Sequence, residues 1–329
     1  MALPAENLHP PMLSVNAALR RTDPSRTLFL RNRFARDFRV RFAKLKAVIR
    51  KAIVEQDVFG LNPPDAGIRR IMVQETALQI PAREAFAFTR SAEKVEKFME
   101  WLHAQVDRGI LEVSERPQIG QAVEGQWQNL YIQDSYQRGV QRARYELAHA
   151  GYGVPSMEAT GGVMASISLP FHMDRVGLLF TRTYGDLKGI TQAMESQISR
   201  VLSQGMADGD GPRVLARKLI ATIDGRGAGT LGIHDTLGRF IPATQRAEML
   251  ARTEIIRSFS EAQLQEFKTW GVVGVNVLAE FVNAGYNVCP ICLALTIKYK
   301  DGISIDKASG IIPVHPNCRC CWIPREATS

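Results

Sequence analysis

Cys289-Pro-Ile-Cys292 and His315-Pro-Asn-Cys318-Arg-Cys320-Cys321 hold all five cysteines of a 329-residue chain. Within them, Cys289/Cys292 and His315/Cys318 are pairs with two residues between their members, and 22 residues separate one pair from the other. A tight turn inside such a pair aims both side chains at one point, and 22 residues suffice for a hairpin that returns the second pair to the first. Three thiolates and one imidazole form a soft donor set that suits zinc better than magnesium or calcium. Cys320 is the alternative to Cys318, because side chains alternate along a strand and the two would face the same way; the spacing to His315 favours Cys318. Four protein ligands would close the shell and leave no place for a catalytic water, so the metal would be structural. A redox reading of the CPIC pair needs the motif at the start of a helix in a parallel βαβ unit, and the surrounding sequence predicts neither.

Around the cysteines the texture is that of short strands: VVGVNVLAEFV from Val272, then LTIKYKDGIS from Leu295 with a turn at Lys300-Asp301-Gly302. Upstream the periodicity is helical. Leu30, Phe34, Phe38, Phe42, Leu45, Ile49 and Ile53 recur every three or four residues and predict one apolar stripe. Further helices are predicted from Ser91, taken as an N-cap, with Val95, Phe98, Trp101, Leu102 and Val106 inward. Another runs from Trp127 to a C-cap at Gly151, and three more over 173–204, 212–223 and 243–270. The last would turn Met249, Leu250, Ile256, Phe259, Leu264 and Phe267 inward, with Arg252, Glu254 and Arg257 as a polar network tying it to the C-terminal module.

The fold class that follows is α+β: helical N-terminal and middle regions and a small C-terminal β-rich module. The organisation is an extended Pro-rich arm over 1–27, a helical domain over 28–160, and a core over 161–329, with helices at 171–270 and the Cys/His module at 271–323. The Gly- and Ser-rich stretch 152–168 marks the boundary. Residues 60–83 read as loop and short strand, and 225–238, with five glycines, as a loop. The turn Gly209-Asp-Gly-Pro212 has no P-loop lysine and reads as an ordinary helix start.

The net charge of +8 is local. Twelve Arg or Lys and two Asp between Arg20 and Lys51 give +10, leaving −2 for everything else. Arg31, Arg36, Arg39, Lys44, Lys46 and Arg50 fall off the apolar stripe of the first helix, as a solvated face or as contacts to the phosphates of double-stranded DNA. No apolar run reaches the length needed to span a membrane, and no secretory leader is visible at the N-terminus. A reducing compartment is therefore expected, in which clustered cysteines are metal ligands rather than disulfides. The six histidines are scattered singly, and no G-x-S-x-G, H-E-x-x-H or Walker motif occurs. HPNC alone lacks the remaining histidines of a His-Asn-His nuclease.

The order ARTEIIRSFSEAQL (251–264), VCPICLAL (288–295) and PVHPNCRCCWIP (313–324) resembles the C-terminal signature of the Mu F-like minor head proteins of tailed phages. The likeness is specific over about 170–323, looser over 95–150, and absent from the first 90 residues. It implies a head morphogenesis protein rather than an enzyme: a low-copy virion component at or near the portal vertex, made in the host cytoplasm. Such a protein acts in procapsid assembly and in DNA packaging or delivery. Its partners would be the portal protein, capsid or scaffold protein, and packaged double-stranded DNA. The resemblance also implies that Cys289, Cys292, His315, Cys318 and Cys320 form a metal-binding signature, with Cys321 an extra, and that Arg252 to Glu254 are structural. Two alternatives stand beside it: a sequence-independent DNA-binding virion protein, and a zinc-dependent or toxin-like enzyme.

Overall fold

The structure, a computed structural model, describes residues 23–61, 90–114, 125–224, 241–271, 277–285 and 287–326. The arm as far as residue 22, almost all of 60–83 and the loop 225–238 lie outside them. The fold is α+β and mostly helical, with a small C-terminal antiparallel sheet. In chain order come α1 (Leu28–Arg50), a π-helical turn (Lys51–Glu55), α2 (Ser91–Gly109), β1 (Val113–Ser114), β2 (Gly125–Gln126), α3 (Asn129–His149) and a 3-10 turn (Glu158–Thr160). Then follow α4 (Gly162–Ile167), α5 (Pro170–Ala207), α6 (Pro212–Asp224), α7 (Ala243–Gly271), β3 (Val277–Val282), α8 (Pro290–Lys298), β4 (Ile303–Ser304), α9 (Ile305–Ala308) and β5 (Cys321–Glu326). Two compact units divide the chain, each discontinuous in sequence: residues 1–32, 131–179 and 252–329 form one, and 33–130 and 180–251 the other. The stretch 152–168 lies inside the first.

All seven residues of the predicted stripe in α1 and its π-turn are buried. The helix starts where it does because Asp23 Oδ2 accepts the Leu28 amide at 2.7 Å, supplying an orphan donor of the first turn with a partner. In the second unit Phe34 and Phe38 meet the Trp127 ring edge-on at 5.6 and 4.9 Å, and Trp127 Nε1 donates to the Ile110 carbonyl at 2.8 Å. The Arg41 guanidinium lies 4.0 Å over the same ring and donates to the carbonyl of Gly109 and the carboxylate of Glu112. Ser91 is the first helical residue of α2 rather than its cap: Arg90 holds the extended N-cap position, with no side-chain cap bond. Phe98, Leu102 and Val106 are buried as expected, whereas Val95 and Trp101 are half-buried.

His103 on α2 places Nδ1 2.9 Å from Glu195 of α5, and this hydrogen bond, with the carboxylate's charge, raises the imidazole pKa. A raised folded-state value stabilises fully below the unfolded pKa of about 6.5 and is lost as pH rises through the folded one. Because the ring is half exposed, water screens the pair. His103→Ala is expected to cost up to about 1 kcal/mol at pH 5.5 and close to nothing at pH 8.5, read by denaturant midpoints at the two pH values.

In the first unit α3 and α7 approach closely. Gly139 makes this possible, since a Cβ there would overlap the Phe259 carbonyl oxygen and lie 2.6 Å from Ala262 Cβ. Two serines seal the contact reciprocally: Ser135 Oγ donates to the Ile255 carbonyl and Ser258 Oγ to that of Ile132, both at 2.7 Å. Helix α3 ends with Gly151 at φ 88° and the Tyr152 amide on the Leu147 carbonyl at 3.0 Å, the C-cap predicted at Gly151.

The sheet has the order β4-β3-β5, all antiparallel, with Val277 opposite Glu326 and Val282 opposite Cys321. Helix α7 covers it through Ile256, Leu264 and Phe267, all buried, while Met249 and Leu250 are only half-buried. Gln263 of α7 brackets Trp322 of β5: its Nε2 donates to the Trp322 carbonyl at 2.9 Å and its Oε1 accepts the Trp322 amide at 3.2 Å. A side-chain amide thus does for this strand edge what another strand would do.

One expected strand is a helix. Residues 295–298 belong to α8, because Cys289 at the N-cap and Pro290 at the first helical position start a helix that the β-branched residues do not stop. Thr296 fits by donating its hydroxyl to the Cys292 carbonyl at 2.9 Å, one turn back. The turn through Gly302 (φ 87°) and strand β4 stand as expected.

Candidate metal centre

Two local devices aim the donors. Cys289, extended at φ −70° and ψ 154°, caps α8 and accepts the Cys292 amide on its sulfur at 3.3 Å. Burial works against ionisation of Cys289, but the Cys292 amide and thiol, His315 and the Ile291 amide together lower its pKa. The second device is the turn His315–Cys318, closed by the Cys318 amide on the His315 carbonyl at 3.1 Å, with Asn317 left-handed at φ 61°. Asn tolerates that conformation better than most side chains. The Asn317 amide donates to Thr253 Oγ1 of α7 at 3.1 Å, which pins the turn to the long helix.

The two devices meet. Cys292 Sγ and His315 Nε2 are 3.3 Å apart, while His315 Nδ1 donates to the Pro316 carbonyl at 2.8 Å. That second bond selects the tautomer whose Nε2 lone pair faces the sulfur, as carbonyl partners do for metal-bound histidines. Burial lowers the His315 pKa, but the Pro316 carbonyl and the thiols of Cys318 and Cys289 outweigh it and raise it.

Cys289, Cys292 and His315 form one triad and Cys292, Cys318 and Cys320 a second, the donor atoms within each lying within 4.8 Å of one another. Around a tetrahedral ion with metal–sulfur bonds near 2.3 Å, sulfurs sit about 3.8 Å apart, a spacing within the 4.8 Å that bounds each triad, and Cys292 is common to both. The five residues therefore form a cluster able to hold a metal ion. Cys318 and Cys320 are both buried and hydrogen-bonded; the Cys320 thiol donates to Cys318, holding the latter's pKa down to about 5 while that of Cys320 rises. All five cysteines are free. Cys321 belongs to neither triad and packs on Phe259 and Val282, where burial pushes its thiol pKa up.

No family model, curated protein or solved structure matches this chain. The site is therefore read from its own geometry. The CPIC pair does lie at a helix start, contrary to the sequence reading, and only half of the redox context follows: the sheet beside it is antiparallel, with no parallel βαβ unit among the described residues.

Elsewhere the predicted residues divide. Arg257 Nε pairs with Glu254 Oε1 at 3.0 Å, with Glu254 buried, and Arg252 lies half-buried two residues before Glu254. Helix α7 is joined to the module by Thr253, by Gln263, by Glu261 accepting the Gly310 amide, and by Lys268 reaching Asp306. Of the proposed DNA contacts, Arg31 needs correction. It is 3% exposed and lies 2.9 Å from Asp23, so it belongs to the interior and not to a cationic face. Arg39 is 3.5 Å from Glu248, and Lys46 is 2.6 Å from Asp224. Arg36, Lys44 and Arg50 are exposed.

A second polar cluster went unseen in the sequence. Glu266 of α7 is 1% exposed and accepts from Arg144 at 2.6 Å and from Trp270 Nε1 at 2.6 Å, while His172 Nε2 lies 3.3 Å from its Oε2. Tyr136 Oη lies 2.8 Å from His172 Nδ1, and Arg144 Nη1 also reaches Thr160. Burial raises the Glu266 pKa, yet the bonds from His172 and Trp270 and the charge of Arg144 outweigh it and hold the carboxyl below its usual range.

Proposed function

We propose that the chain is a minor capsid protein of a tailed phage, bound at or near the portal and acting in head assembly and in DNA packaging or delivery. The observation that carries this is spatial. The three sequence pieces behind the family resemblance, around Thr253, Cys289–Cys292 and His315–Cys318, converge on one cluster, joined by the Asn317–Thr253 and Cys292–His315 contacts. A signature scattered over some seventy residues that closes into one site is what a structural module requires. In this reading zinc is held by Cys289, Cys292 and His315, with Cys318 or Cys320 completing the set. When bound, it crosslinks the helix start to the turn, and its binding free energy becomes folding free energy of the module. With four protein ligands it performs no chemistry, and the chain is not an enzyme.

Double-stranded DNA is the second partner in this reading, contacted by Arg36 and Lys44 on the exposed side of α1. Two phosphates neutralised there give a slope of about −1.8 in log affinity against log salt. The test of the main reading is co-expression of the chain with the portal protein of its own phage, followed by size-exclusion chromatography and electron microscopy. A complex that co-migrates, with the chain in fewer copies than the portal subunits, is the expected result. Separate elution under every assembly condition overturns it.

A further inference from the structure

Within the second unit, the end of α1, the π-turn after it and α6 enclose a concave space of about 430 Å3. Its floor is apolar, formed by Val54, Ala216, Ile220 and Ala221, and Arg50, Arg213 and Arg217 stand around it, all three exposed. Asp224 is the single acid in the lining, and its carboxylate is taken by Lys46 at 2.6 Å. The groove therefore presents three guanidinium groups, none paired with a carboxylate among the described residues, above a hydrophobic floor.

We propose that this groove docks an acidic, apolar-anchored segment of a protein partner: a short stretch in which leucine-like side chains alternate with carboxylates at helical spacing. Each half of the lining argues for one half of the ligand. Arginine binds carboxylates through a planar fork of donors, and Arg213 and Arg217, one turn apart on α6, can grip two carboxylates spaced one turn apart. The apolar floor gains only from an occupant that brings apolar surface to it. Duplex DNA answers to the arginines alone. Its backbone is convex and offers no aliphatic side chain to fill a concave floor, so it would touch the rim and leave the floor wet. This proposal stands apart from the head-protein reading, because it rests on the groove and not on the cysteine cluster.

The test uses the full-length protein and a fluorescein-labelled synthetic peptide of alternating Leu and Glu at three- and four-residue spacing, titrated by anisotropy. A second peptide has its leucines replaced by serine, and a labelled DNA duplex serves as a third probe. The Leu/Glu peptide is expected to bind, more tightly than the serine peptide. Its affinity should fall at least about tenfold in Arg213→Gln/Arg217→Gln and in Arg50→Gln, a loss of one or two charge-assisted hydrogen bonds. The Arg36→Gln/Lys44→Gln variant, altered elsewhere on α1, should bind it as the wild type does. All of these residues are exposed, and unchanged thermal melts certify the fold. Absence of binding overturns the proposal, as does equal affinity for the serine peptide or an equal loss in the Arg36/Lys44 variant. Duplex binding that depends on Arg50, Arg213 and Arg217 overturns it too, in favour of a nucleic-acid groove.

Discussion

Cys292→Ser is expected to strip the chain of metal and to lower its thermal midpoint by roughly 10 °C. Cys292 is the one residue common to both triads, so its loss breaks each of them, whichever thiol completes the set. In isolated zinc peptides the binding free energy is about 10–16 kcal/mol. Here the module also leans on α7 through Thr253, Glu261 and Gln263, so much of its structure survives without the ion. A net loss of about 3–5 kcal/mol, at about 2–4 °C per kcal/mol for a chain of this size, gives the stated shift. Elemental analysis and scanning calorimetry measure both halves. Cys318→Ser and Cys320→Ser, compared side by side, identify the remaining ligand by which one lowers the zinc content. Cys321→Ser is the control: it should weaken packing against Phe259 and Val282 while leaving about one zinc per chain. If wild-type protein carries far less than one zinc in every preparation, or if Cys292→Ser retains it, the metal reading fails.

Glu266→Gln should cost a comparable amount by a different route. The carboxylate is shared by Arg144, Trp270 and His172 in the interior of the first unit, and removing its charge leaves the Arg144 guanidinium buried without its counter-ion. Breaking a buried pair in this way costs about 3–5 kcal/mol. Replacing both partners, as in Arg144→Met/Glu266→Leu, should cost less than Glu266→Gln alone, since no stranded charge remains. The pH dependence carries a sign. A carboxyl held below its usual range stabilises the fold above its unfolded pKa of about 4.3, and that contribution is lost as pH falls through the folded value. Wild type should therefore lose stability in acid more steeply than Glu266→Gln, and parallel acid limbs in urea titrations would refute the assignment.

What the sequence revealed and what it hid follow from range. The stripe from Leu30 to Ile53 was legible because helical periodicity is local, and each of its seven residues is buried. The cysteine pairs were legible because ligand spacing is also local. The misread strand at 295–298 was a contest between local signals: β-branched Thr296 and Ile297 against Cys289 and Pro290, where the helix start prevailed. Arg31 looked like its cationic neighbours because nothing in sequence announces that Asp23 folds back on it. The Glu266 cluster was invisible, since Arg144 lies 122 residues from its partner and a lone histidine such as His172 carries no signal by itself. Gln263 escaped notice for the same reason.

The interleaving of the two units has a consequence for how the protein comes into being on the ribosome. One unit needs segments from residue 23 to residue 326 and the other needs residues up to 251, so neither can close while only the first half of the chain has emerged. Early helices such as α2 must wait with their apolar faces exposed until the later segment of their own unit, residues 180–251, arrives, a delay that favours chaperone capture and slow, high-contact-order assembly. For the same reason no single cut yields a self-sufficient half, and expression of 1–160 or 161–329 alone should produce aggregated protein rather than a soluble domain.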